Sequence, residues 1–299
     1  MRVRVPPERL RQTAVRCAVL ATAAGLVLTL AGCSDSEQGG PSSTHGSPTA
    51  FGHIHGLGVN PADKRLYVAS HLGVFRRTED GFERVADRYQ DTMAFTVTGD
   101  DTFLASGHPD LRETNQPIHL GLIESTDAAS TWKTLSLAGE ADFHALEPAG
   151  DRVYGYDSNN GVLKVTRDRR RWTDIARLGL VDLAVNPDQQ EDLLITSTNA
   201  HLLRLDRQSK VSPLPDAPRL VYIDWPHSRL LVGVAPDGAV YRSRDQAKTW
   251  EQISTVNGPP QALDVLPGRW HLANDQGVFE STDDGRTWTR VTGHQEEAN

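Results

Sequence analysis

Internal repetition narrows the possible folds of this chain more than any other feature. Six segments pair a small residue or histidine with two apolar residues: Gly73-Val74-Phe75, Gly121-Leu122-Ile123, Gly161-Val162-Leu163, His201-Leu202-Leu203, Ala239-Val240-Tyr241 and Gly277-Val278-Phe279. Their starting positions differ by 48, 40, 40, 38 and 38. Each unit carries four short runs with strand chemistry; in the last they are Ala262 to Leu266, Arg269 to Ala273, Gly277 to Ser281 and Thr287 to Val291. Four strands per period of about 40 residues is the pattern of a propeller blade, and no helical period in the body competes with it. The expectation is an all-β, six-bladed β-propeller with four-stranded antiparallel blades over residues 51–291. Every blade phased this way is contiguous in sequence, so a shared last blade requires residues near Thr49 to Gly52 to supply a strand.

A recurring turn follows the third strand of the unit. Its fullest copy reads Ser281-Thr282-Asp283-Asp284-Gly285-Arg286-Thr287-Trp288. Copies without the glycine run from Ser125 through Asp127 to Trp132 and from Ser243 through Asp245 to Trp250. Thr166 through Asp168 to Trp172 is one residue short, the first copy is decayed, and the fourth repeat has lost it. The aspartate is suited to accept backbone N–H groups across the turn, glycine to permit positive φ, and tryptophan to wedge between blades. Asp127, Trp132, Asp168, Trp172, Asp245, Trp250, Asp283, Gly285 and Trp288 are therefore assigned structural roles. The pattern resembles the Asp-box (BNR repeat) of sialidases, sortilin-type receptors and photosystem assembly-factor propellers. The whole chain resembles bacterial lipoproteins with such repeats, described as sialidase-like or glycosylhydrolase-like.

The N-terminal segment has another character. Arg2, Arg4, Arg9, Arg11 and Arg16 precede an apolar run from Cys17 to Gly32, which is short for a bilayer span and reads as a signal peptide over 1–32. It ends in Leu30-Ala31-Gly32-Cys33, which resembles the bacterial lipobox. The resemblance implies lipidation of Cys33 and a protein anchored on the extracytoplasmic face of the bacterial cell membrane. Residues 33–50, rich in Ser, Gly, Thr and Pro, read as a flexible tether, and 292–299 as a tail. Five of the 31 basic and one of the 39 acidic residues lie in 1–32, leaving 26 basic against 38 acidic. That balance disfavours nucleic acid as a partner. With Cys17 removed and Cys33 acylated, neither a disulfide nor a zinc–thiolate site is expected within one mature chain.

Chemistry-bearing residues collect on the innermost strands. Aligning the repeats places His55, Met93 and His144 in register, with His53, Asp91 and Asp142 two residues earlier on the same expected strand face. The corresponding positions of blades four to six, Val181, Leu220 or Val221, and Gln261 or Ala262, look inert. The second repeat is the longest, and its surplus forms a loop from Gly107 to His119 at the same mouth. His108 and His119 thus overhang the channel, together with His71, Tyr156 and Asp157. Imidazoles beside a thioether suit copper first and zinc second, and His53, His55, Met93, His144 and His108 form the candidate metal set. His71, Asp91, Asp142, His119, Tyr156 and Asp157 form a mouth for a metal or small polar ligand. Met93 as gap filler in a hydrated channel is the alternative for these residues.

Three functions are compatible with this reading: a surface-anchored propeller holding a metal or small polar ligand, a sialidase-like glycoside hydrolase acting on extracellular glycans, and an assembly scaffold whose protein partner is not specified. The resemblance implies an arginine triad, an Arg-Ile-Pro motif, a Tyr–Glu nucleophile pair and an aspartic acid/base for true sialidases. Here Phe75-Arg76-Arg77 runs into Thr78, so the Arg-Ile-Pro is missing. Asp91 or Asp142 as acid and Tyr156 as nucleophile would be the candidates for an enzyme.

Overall fold

The computed structural model describes residues 51–291. The signal peptide, Cys33, the tether and the C-terminal tail lie outside the described residues. Six separate four-stranded antiparallel sheets follow one another along the chain, making a six-bladed β-propeller. Blade one comprises Ile54–Val59, Leu66–Ser70, Gly73–Arg77 and Phe82–Arg84; blade two comprises Asp91–Gly99, Thr102–His108, Leu122–Ser125 and Lys133–Ser136. Blade three is formed by Phe143–Ala149, Arg152–Asp157, Val162–Thr166 and Trp172–Arg177, and blade four by Leu180–Asn186, Gln189–Ser197, Leu202–Leu205 and Val211–Pro213. Tyr222–His227, Leu230–Val234, Ala239–Ser243 and Glu251–Thr255 build blade five. Pro260–Leu266, Arg269–Asn274, Gly277–Ser281 and Thr289–Arg290 build blade six. Among the described residues no helix is long and apolar enough to cross a membrane.

Burial explains the architecture. Each blade exposes two apolar faces that only its neighbours can cover, so the core is a series of layers between sheets rather than one centre. Trp270, fully buried, packs with Val232, Val234, Val240 and Val256 of blade five. Trp225 packs likewise with Ala184, Leu194 and Leu202 of blade four.

The ring closes without strand exchange. Phe51 lies edge-on to Phe75 and Phe82 at centroid distances of 5.0 and 5.1 Å, and joins a cluster that includes Ala262, Ala273 and Val278 of blade six. The Ile54 amide donates to Gln261 Oε1 at 2.9 Å, and Arg77 pairs with Glu280 at 2.9 Å. His271, buried, stands 3.1 Å from both Asp264 and Glu280 and carries the seam inward. Burial lowers its pKa, but the two carboxylates outweigh that and raise it overall.

The turns after the third strands share one hydrogen-bond set. At Asp127, Asp245 and Asp283 one carboxylate oxygen accepts the amide four residues on, at 2.8, 2.9 and 2.9 Å, and the other accepts that threonine's hydroxyl at 2.6, 2.6 and 2.7 Å. The preceding serine accepts the amide of residue 129, 247 or 285. All three residues are left-handed, with φ of 69°, 69° and 77°, yet only the last is glycine. The reason is the residue opposite the turn serine: Phe103 in blade two, Leu231 in blade five and Trp270 in blade six. A Cβ on Gly285 would lie 2.4 Å from Trp270 Cζ3, so the largest partner demands the smallest turn residue. The fourth blade keeps the device in reduced form, since Asp206 accepts the amides of Gln208 and Lys210 at 3.0 and 2.9 Å. Trp288 and Trp172 reach the preceding blade, donating to Ser254 and Ser136 at 3.0 and 2.9 Å. Asp168 accepts the amides of Arg170 and Arg171, while Trp132 and Trp250 pack against the inter-blade clusters.

Candidate functional site

The innermost strands reach the mouth of the channel through β-bulges. In blade one Ile54 pairs with Ser70 and Gly56 with Ala69, leaving His55 without a cross-strand partner. Met93 is skipped in the same way in blade two, His144 in blade three, Val181 in blade four and Gln261 in blade six. The extra residue of a bulge bends its strand and re-aims the side chain. The register His55, Met93, His144 is therefore a register of bulges, and all three side chains line one central cavity of about 530 Å³.

Three imidazoles converge at its mouth. His53 and His55 stack with centroids 4.7 Å apart, His71 meets His55 edge-on at 4.5 Å, and one nitrogen from each of the three rings lies within 4.8 Å of the others. His55 Nε2 is 3.4 Å from His71 Nδ1, and Asp91 stands 2.8 Å from that same Nδ1. Burial, then the neighbouring histidines, push His55 down to about 3; burial, then His71, lower His53. Both rings are thus neutral at neutral pH and offer lone pairs.

A second group forms beside it. Gly107 has φ of 143°, and a Cβ there would meet Asp91 O at 2.0 Å; this close approach brings His108 opposite Asp91 in the sheet. His108 and His119 have centroids 5.5 Å apart and gather with Asp142 of blade three. The Asp142 side chain stands 3.0 Å from His144 Nε2. Burial pushes the Asp142 pKa up, but the hydrogen bond from His144 and the adjacent imidazoles outweigh this and hold it below the usual range.

The candidate metal set read from sequence is thus divided. His53 and His55 join His71, His108 joins His119 and Asp142, and Met93 and His144 line the channel. Tyr156 faces the cavity, but its hydroxyl donates to Leu178 O at 3.0 Å. Asp157 is buried and accepts the Asn160 amide group at 2.8 Å.

The other arc of the channel is acidic, a property absent from the inert reading of blades four to six. Glu147, Asp182, Asp224 and Asp264 line it. Asp182 accepts the Ile223 amide at 2.9 Å and Asp224 the Val265 amide at 2.7 Å, so each stitches its blade to the next. Burial pushes Asp182 up to about 7; burial and the charge of Asp264 push Asp224 up to about 8. Glu147 is raised well above the ordinary carboxylate range, also chiefly by burial. The available signal was the recurrence of aspartate at 182, 224 and 264 in three successive repeats.

The fold and channel define a β-propeller with a histidine-lined mouth. No protein-family model matches the chain, and no curated protein matches it. Solved structures do. A chain of the nidogen/laminin complex superposes with a TM-score of 0.60 at 10% identity, over 77% of this chain and 93% of that one. YCF48 bound to D1 peptide gives 0.53 at 10%, over 82% and 79%. Virginiamycin B lyase from Staphylococcus aureus gives 0.54 at 12%, over 80% and 84%. At these identities the likeness is one of fold, and functions on a shared fold diverge.

Proposed function

We propose that this protein is a lipid-anchored, extracytoplasmic propeller that binds a metal ion, copper first and zinc second, through His53, His55 and His71. The observation carrying this reading is the convergence of three imidazole nitrogens within 4.8 Å, with His55 held neutral by its surroundings. Imidazole is a preferred ligand of both metals, and three ring nitrogens this close suit one shared cation. Asp91 beside His71 Nδ1 supplies the carboxylate that commonly orients a ligating ring. Met93, on the same channel wall, adds a soft donor that favours copper. The Ser/Gly-rich tether after the lipobox-like segment would hold this mouth outside the membrane. Calorimetric titration of the mature protein with copper tests the reading: His55→Ala should weaken binding about 100-fold or more, and unchanged affinity would refute it.

A glycoside hydrolase is the second reading, favoured by the acids of the channel. Asp224, protonated at neutral pH, resembles a general acid, whereas Asp91 and Asp142 are engaged by His71 and His144. Turnover of a sialoside and glycan panel that Asp224→Asn abolishes would support it; no turnover by the wild type would remove it.

A further inference from the structure

The long loop of blade two makes a second polar cluster whose atoms are left incomplete. Asp142 is 4% exposed, and its Oδ1 is buried without a hydrogen-bond partner among the described residues. His119 Nδ1 is buried and unpartnered in the same way. These two side chains approach to 3.9 Å, between His119 Nδ1 and Asp142 Oδ2. That is too long for a hydrogen bond and comparable with the separation of two ligands on one ion. Leaving a buried polar atom unsatisfied costs about 1–3 kcal/mol, so an orphan atom on each of two side chains that meet calls for a partner at this place.

The surroundings prepare such a partner. His108 Nδ1 stands 2.7 Å from Ile118 O, which takes its proton and leaves the Nε2 lone pair free to ligate. Asn159 Nδ2 lies 3.0 Å from His119 Nε2; a turn of that amide, placing its oxygen on the ring to accept the Nε2 proton, frees the Nδ1 lone pair toward Asp142. His144 Nε2 stands 3.0 Å from Asp142 Oδ2, the oxygen that His119 approaches, and Oδ1 is left without a partner among the described residues. A ligand atom from each of His108, His119 and Asp142 falls within 4.8 Å of the others.

We infer that His108, His119 and Asp142 form a second divalent-metal site, separate from the three imidazoles of blade one. Two imidazoles and one carboxylate select a borderline cation such as zinc and leave coordination positions open toward the channel mouth. This site does not depend on the tri-imidazole reading, and its donor set lacks the third imidazole and the thioether that favour copper there.

Elemental analysis of zinc-loaded, dialysed mature protein separates the two sites. Wild type should hold two equivalents; His119→Gln and Asp142→Asn should each hold one, as should His55→Gln, and the His55→Gln/His119→Gln double variant none. Should circular dichroism show that either loop-side variant is misfolded, His108→Gln takes its place with the same expected loss. One wild-type equivalent removed only by His119→Gln upholds this site and refutes the tri-imidazole reading for zinc. One equivalent removed only by His55→Gln, one removed by either change, or no retained zinc overturns the second site.

Discussion

Asp224→Asn gives the sharpest test of the channel's electrostatics. The substitution keeps the side-chain oxygen that accepts the Val265 amide at 2.7 Å and removes only the capacity to ionise. In the native state Asp224 is pushed up to about 8, first by burial, then by Asp264 and Asp182. In the unfolded chain it titrates at about 3.9. Between those values the native state holds a proton that the unfolded state has released, so wild-type stability falls as pH rises from about 4 to about 8. At pH 7 the ceiling on this cost is about 4 kcal/mol, from roughly three pK units at 1.36 kcal/mol each. Water entering the channel solvates part of the carboxylate, so we expect a gain of about 1–3 kcal/mol for the variant at pH 8 and close to none at pH 4. Thermal unfolding followed by circular dichroism should show the variant's midpoint rising above wild type by about 3–8 °C at pH 8. An equal difference at both pH values would refute a desolvated acidic arc.

Gly285→Ala should destabilise by about 2–4 kcal/mol, seen as a lower denaturation midpoint, because its Cβ would stand 2.4 Å from Trp270 at a φ of 77°. Ala247→Gly, in the turn whose serine faces Leu231, should shift the midpoint far less. His271→Gln should cost about 3 kcal/mol at pH 6, since it leaves Asp264 and Glu280 near the seam without their shared cation. The raised His271 pKa makes this contribution complete below about 6.5 and lost as pH rises through the native value, so the same variant should lose less at pH 9. Chemical denaturation at the two pH values checks the sign.

The six-fold repeat was legible because strand length, turn chemistry and spacing all recur in the primary structure. So was the register of His55, Met93 and His144, although simple alternation misses the bulge that turns them to the channel. Which imidazoles meet was not legible: His71 joins His53 and His55 through the pairing of adjacent strands, and His119 joins Asp142 by the return of a loop with no repeat counterpart. The acidic arc was not legible at the aligned positions, Val181 and Gln261, because Asp182 lies one residue and Asp264 three residues beyond them. The copies without glycine keep the same turn at Ala129 and Ala247, where Phe103 and Leu231 stand in the place that Trp270 takes in blade six.

Closure without a shared strand has an evolutionary corollary. Because each sheet is an uninterrupted stretch of polypeptide, copying or excising one unit of about 40 residues in frame tears no hydrogen-bonded ladder. At the seam, the junction chemistry of Gln261, Arg77, His271 and Glu280 must be rebuilt where the newcomer meets its neighbours. Such a ring can change its circumference by whole modules, and with it the bore that the histidines and acids share.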